Sequence, residues 1–163
     1  MSIRFNADEI FEMAEELERN GANFYKKAAK YFKDSGREQL LLSLATMEEQ
    51  HEVIFKEMRK QLTADENEVN VFDPEDEAGM YLRAMADGHV FDVRQDISQS
   101  LTGKESIEEI LNTAIGCEKD SIVFYLGLKD LVAKEDGKNK IDAIIREEMG
   151  HISQLNKQLA AAV

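Results

Sequence analysis

The 163-residue chain holds one cysteine, one proline and no tryptophan. With Cys117 alone, no internal disulfide framework and no CxxC metal or redox pair is possible. A single proline and nine glycines leave long stretches free of helix breakers. Basic residues are also scarce, 20 Lys and Arg against 33 Asp and Glu, for a net charge of −13. Such a chain lacks the basic footprint that nucleic acid or an anionic membrane requires, so neither is expected as a partner. An acidic excess suits cations instead. No stretch approaches a membrane span, and the opening MSIRFNADEI has no apolar signal core, so a cytoplasmic location is expected. Hydrophobic residues make up 43% and charged residues 33%. This composition, with periodic apolar stripes, predicts one folded domain over 1–163 with a real core.

Those stripes have helical spacing. Residues 7 to 34 read as a helix with the seam Phe11, Ala14, Glu18, Gly21, Tyr25, Ala28, Phe32, opened by a capping box at Asn6 and Glu9 and closed by Ser35 and Gly36. A second helix runs to about Leu62 with the seam Leu41, Leu44, Glu48, His51, Phe55, Met58, Leu62. Residues 63–105 include VFDPED, a shorter amphipathic stretch from about Glu75 to Gly88, and SQSLTGKES; they are too long for a hairpin loop and read as a crossover with a short helix. Ser106 and Glu109 offer another capping box. The third seam is Leu111, Ala114, Glu118, Ser121, Tyr125, Leu128, Val132, and after a break near Gly137 the fourth is Ile141, Ile144, Glu148, His151, Leu155.

An offset of 100 superposes the halves: Glu118 on Glu18, Tyr125 on Tyr25, Glu148 on Glu48 and His151 on His51. Apolar positions agree in type, Phe11 with Leu111 and Leu41 with Ile141, while overall identity between the halves is low. The pattern predicts an all-α four-helix bundle of two helix pairs, 6–62 and 106–162, joined by the long crossover 63–105.

Four glutamates and two histidines would then share one core. Carboxylates buried together repel one another and protonate unless something positive joins them. Two divalent cations supply about the +4 that four carboxylates need. Glu48 and Glu148 would bridge both ions, Glu18 and Glu118 would each hold one, and His51 and His151 would each add a nitrogen. Carboxylate oxygen with imidazole suits iron or manganese, with zinc as an adventitious occupant. The competing reading is a solvated charged face, which the apolar seam on both sides of each pair opposes.

The stretches LERNGANFYKKAA, MEEQH, CEKDSIVFY and REEMGH together resemble the ferritin-like di-iron carboxylate proteins, and among them the rubrerythrin group. The resemblance covers nearly the whole chain, least in the crossover. It implies two iron ions per chain and an oxidoreductase that reduces hydrogen peroxide or oxidises iron with oxygen. It also implies a homodimer or larger homo-oligomer. Rubrerythrins carry a further glutamate three residues after the helix-three ligand; here that position is Ser121. His51 is therefore expected to be a permanent ligand, as in the six-ligand site of bacterioferritin. Full rubrerythrins also carry a rubredoxin module with two CxxC pairs, which one cysteine cannot form. Electrons are thus expected from an external donor such as a rubredoxin-type protein.

Tyr25 and Tyr125 read equally as hydroxyl partners of the ligand carboxylates or as core aromatics. Ser121 lies beside the cluster. Glu49 and Glu147 leave the seam and read as solvated or as neighbours of the ligands. Cys117 reads as a packed thiol, His89 as a surface or core histidine, and Met13, Met47, Met58, Met80, Met85 and Met149 as packing. Besides the oxidoreductase, three functions stay open: an iron-handling protein without significant turnover, a manganese catalase, and a structural bundle with a silent site.

Overall fold

The computed structural model describes residues 7–33, 36–62, 77, 80, 81, 84, 96–132 and 134–162. Among them there are four long helices and no strand: α1 (Ala7–Ala29), α2 (Gly36–Lys60), α3 (Ile107–Leu131) and α4 (Glu135–Ala162). A one-turn 3₁₀ helix, Ile97–Ser100, precedes α3. Helix α1 packs along α2 and α3 along α4; the two pairs meet through α1 with α3 and α2 with α4. This is the all-α bundle that the seams predict. No helix among the described residues is long and apolar enough to cross a membrane.

Two helix boundaries differ from the sequence expectation. Helix α1 stops at Ala29, where Lys30, Tyr31 and Phe32 turn back onto the carbonyls of Lys27, Ala28 and Ala29 in tight i→i−3 bonds. Such bonds satisfy the last carbonyls and end the helix a turn early. Gly137 lies inside the first turn of α4, so α3 has ended at Leu131 and α4 has begun at Glu135 before the expected break. A Cβ at Gly137 would stand 2.7 Å from Val132 Cγ1, so glycine is there for close packing against the end of α3. The Ser106–Glu109 capping box forms, with Glu109 N–H donating to Ser106 Oγ at 3.1 Å and Ser106 N–H donating to Glu109 Oε2 at 2.7 Å. Asn6, Ser35, Met85, His89 and most of the expected 75–88 helix lie outside the described residues. Residues 77, 80, 81 and 84 of that stretch are helical, and Tyr81 Oη donates to the Val123 carbonyl on α3.

The core divides into two apolar blocks. One gathers Phe11, Phe55, Met58, Phe124, Leu128 and Ile144; the other gathers Phe24, Ala28, Leu41, Leu44, Leu111 and Leu155. Burying each large side chain stabilises the fold by about 1.5–3 kcal/mol. The crossover's end belongs to the second block: Leu101 is buried in it, and Lys27 Nζ on α1 donates to Ser98 O at 2.8 Å. Between the blocks along the helices lies a layer that holds the buried Glu18, Glu48, His51, Glu118, Glu148 and His151.

Candidate metal centre

Each polar residue of that layer is where its helix phase places it. On α2, Leu44 and Phe55 are buried on either side of Glu48 and His51, so the same stripe faces inward throughout. On α4, Ile144 and Leu155 flank Glu148 and His151 in the same way. Glu18 on α1 and Glu118 on α3 complete the set. All six are buried, none more than 4% exposed.

The six side chains converge as two overlapping groups of four: Glu18, Glu48, His51 and Glu148; and Glu48, Glu118, Glu148 and His151. Within each group one donor atom per residue lies within 4.8 Å of every other. Glu48 and Glu148 belong to both. His51 Nδ1 is 2.9 Å from Glu148 Oε1 and 3.5 Å from Glu18 Oε2. His151 Nδ1 is 3.0 Å from Glu148 Oε2, 3.3 Å from Glu48 Oε1 and 3.5 Å from Glu118 Oε1. The two imidazoles are stacked, with ring centroids 5.9 Å apart and ring planes 20° from parallel.

These atoms are close but poorly matched to one another. Among the described residues, Glu18 Oε2, Glu48 Oε1, His51 Nδ1 and Glu148 Oε1 are buried without an aligned hydrogen bond. A buried oxygen left so costs about 1–3 kcal/mol, more when charged. A donor set of oxygens and imidazole nitrogens gathered around two centres fits a pair of divalent cations, whose charge would satisfy all four atoms at once.

Without a cation, protons must neutralise the cluster. Burial, with Glu48 and Glu148 close by, raises Glu18 well above the ordinary 4.5 of a glutamate. Burial likewise pushes Glu118 up to about 8, with the nearby Glu148 adding to it. Burial alone would lower the histidines. The carboxylates of Glu148 and Glu18 outweigh it at His51, raising it to about 11, and those of Glu118, Glu148 and Glu48 raise His151 to about 12. Burial and the charge of Glu48 push Glu148 upward, but its contacts with Glu118, His151 and His51 outweigh them and it is lowered.

The tyrosines cross the repeat. Tyr25 Oη donates to Glu118 Oε1 and Tyr125 Oη donates to Glu18 Oε1, so each half's tyrosine restrains the other half's glutamate. Burial raises both phenols well above 10, which keeps them protonated as donors. Ser121 is buried, but its hydroxyl donates at 3.0 Å to Cys117 O within its own helix. Burial pushes the Cys117 thiol up to about 12, so it stays a thiol. Gly21, the repeat partner of Ser121, gives room to the Glu48 carboxylate: a Cβ there would be 3.4 Å from Glu48 Oε2.

Two neighbouring glutamates separate in role. Glu49 pairs with Lys26 on the surface, whereas Glu147 Oε2 lies 2.6 Å from His51 Nε2. Helical phase leaves Glu147 undecided between solvent and site, and the only trace of its contact is a mismatch in the repeat, since position 47 is methionine. Glu15, which no motif singles out, is 5% exposed and stands 3.5 Å from the Arg59 guanidinium. It lies off the seam, and nothing local distinguishes it from solvated glutamates.

No protein-family model matches the chain, and no curated protein does. Among solved structures, the chain is similar to a Thermotoga maritima protein described provisionally as a ferritin-like diiron-carboxylate protein. The two share 27% identity and superpose with a TM-score of 0.79 over 98% of each chain.

Proposed function

We propose that the chain is a di-metal carboxylate protein of the ferritin-like type that binds two divalent cations, iron by preference, and works as a rubrerythrin-like oxidoreductase on peroxide or dioxygen. The observation that carries this reading is the pair of overlapping four-residue groups that share Glu48 and Glu148, with buried oxygens that no aligned hydrogen bond satisfies. The likeness to the Thermotoga maritima protein supports it.

In this reading Glu18, Glu48, His51 and Glu148 hold one cation, and Glu48, Glu118, Glu148 and His151 hold the other. Bound iron supplies the electrons for reducing the oxidant. The chain's own residues do the rest. Tyr25 and Tyr125 hold Glu118 and Glu18 in place. The apolar blocks above and below exclude bulk water, which strengthens every charge interaction in the layer. Protons held on His51, His151 and the raised carboxylates leave when cations enter. Electrons come from a separate rubredoxin-type protein, and the chain works as a homo-oligomer.

The test is anaerobic loading with Fe(II), metal counting, and stopped-flow oxidation by peroxide and by oxygen in separate runs. Two irons per chain and faster oxidation by peroxide are expected. Two irons with oxygen as the faster oxidant would move the assignment to iron oxidation and handling. Absence of stoichiometric metal would overturn it. Glu48→Ala and Glu148→Ala should each abolish the coupled pair.

A further inference from the structure

The cluster repeats closely, and one of its polar mismatches lies behind His51. Glu18, Tyr25, Glu48 and His51 match Glu118, Tyr125, Glu148 and His151, but Glu147 matches Met47. Both histidines face the cluster through Nδ1. Behind His51, Nε2 meets the Glu147 carboxylate at 2.6 Å. Behind His151, Nε2 is buried and, among the described residues, has no hydrogen-bond partner. Met47, which matches Glu147 in the repeat, carries only a thioether, too weak an acceptor to play the part of that carboxylate.

A carboxylate behind an imidazole has three effects. It fixes the proton on the far nitrogen, so the near nitrogen offers its lone pair. It restrains the ring. It also raises the basicity of the donor atom. His51 has all three from Glu147, and His151 has none of them from Met47. The α4 helix thus supplies, in adjacent residues, a carboxylate common to both four-residue groups and one that acts on a single group.

We propose that Glu147 makes the two metal positions unequal: it is a positioning residue for His51, and the position formed by Glu18, Glu48, His51 and Glu148 binds its divalent cation more tightly than the position containing His151. This inference rests on the di-metal reading above. Glu147 has a half-exposed side chain, 46% accessible, so its substitution tests the contact without emptying the core.

The experiment is an anaerobic competition titration with Co(II), following the metal's visible absorption, on the wild type and on Glu147→Met, Glu147→Gln and Met47→Glu. Glu147→Met should weaken the tighter step about 10–100-fold and leave the weaker one unchanged. Glu147→Gln, which keeps an acceptor, should recover part of that loss. Met47→Glu should tighten only the weaker step. In a His151→Ala background Glu147→Met should still weaken binding; in a His51→Ala background it should not. Long-range proton–nitrogen NMR of the Zn(II)-loaded protein should place a protected proton on His51 Nε2 that Glu147→Met exposes to exchange. Two bound Co(II) ions with both steps insensitive to Glu147→Met would overturn the inference and leave the di-metal reading intact. Failure to bind Co(II) at all would overturn both.

Discussion

The metal-free protein should lose stability as pH rises. Burial raises Glu118 from 4.5 to about 8 and carries Glu18 upward as well. His51 and His151 are raised from 6.5 to about 11 and about 12 by the carboxylates around them, against their burial. All four bind a proton more tightly folded than unfolded. Each therefore contributes stability at low pH that drains away as pH climbs from its unfolded value towards its folded one. For Glu118 the window is 4.5 to about 8, and 8 − 4.5 = 3.5 units corresponds to about 5 kcal/mol over the whole span. Between about pH 5.5 and about pH 7.5, Glu118 alone accounts for roughly 2–3 kcal/mol. That lowers the midpoint by roughly 5–10 °C for a chain of this size. The histidines act in the same direction from 6.5 upward. Glu148 and Asp8 are lowered, so their losses fall below 4.5 and 3.8, outside this window. The assay is thermal unfolding by circular dichroism in the presence of a chelator, repeated for the metal-loaded protein and for Glu118→Gln. The metal-free midpoint should fall with pH, and the Glu118→Gln curve should be flatter. A metal-free midpoint that is constant or rises across this range would refute the reasoning that protons neutralise the buried cluster.

Loading two divalent cations near neutral pH should release about three protons per chain, from His51, His151 and most of Glu118, measurable with a pH indicator in weak buffer; fewer than two would contradict the proton placement. Tyr125→Phe removes the hydroxyl that Glu18 accepts from, and should cost about 1–2 kcal/mol in urea unfolding of the metal-free protein. Tyr25→Phe, which frees Glu118, should behave the same way, and a null effect in both would mean that the hydroxyls are bystanders. Gly137→Ala puts a Cβ 2.7 Å from Val132 Cγ1 and should lower stability by about 1–3 kcal/mol despite alanine's better helix propensity; a gain in the same urea experiment would mean that the α3–α4 turn yields easily.

Much of the candidate centre is legible in the order of residues along the chain. That order by itself determined that six polar residues lie on the inward stripes of four helices, and that they come as a repeat. Helical phase is local, so Glu48 and His51 at i and i+3 share a face whatever the rest of the molecule does, and buried Leu44 and Phe55 on either side mark that face as the inner one. The alternation of apolar stripes with long helices also determined the bundle class. Only the tertiary structure decided what lies opposite each of these groups. Tyr25 serves Glu118 rather than its own neighbour Glu18, and Glu147 reaches His51 across from another helix. Those pairings depend on the rotation and stagger between helices, which come from the packing of all the apolar side chains together and leave no periodic mark in the chain. The same holds where α1 stops and where Gly137 sits: a helix end depends on what packs against the turn, and residues far along the chain supply it.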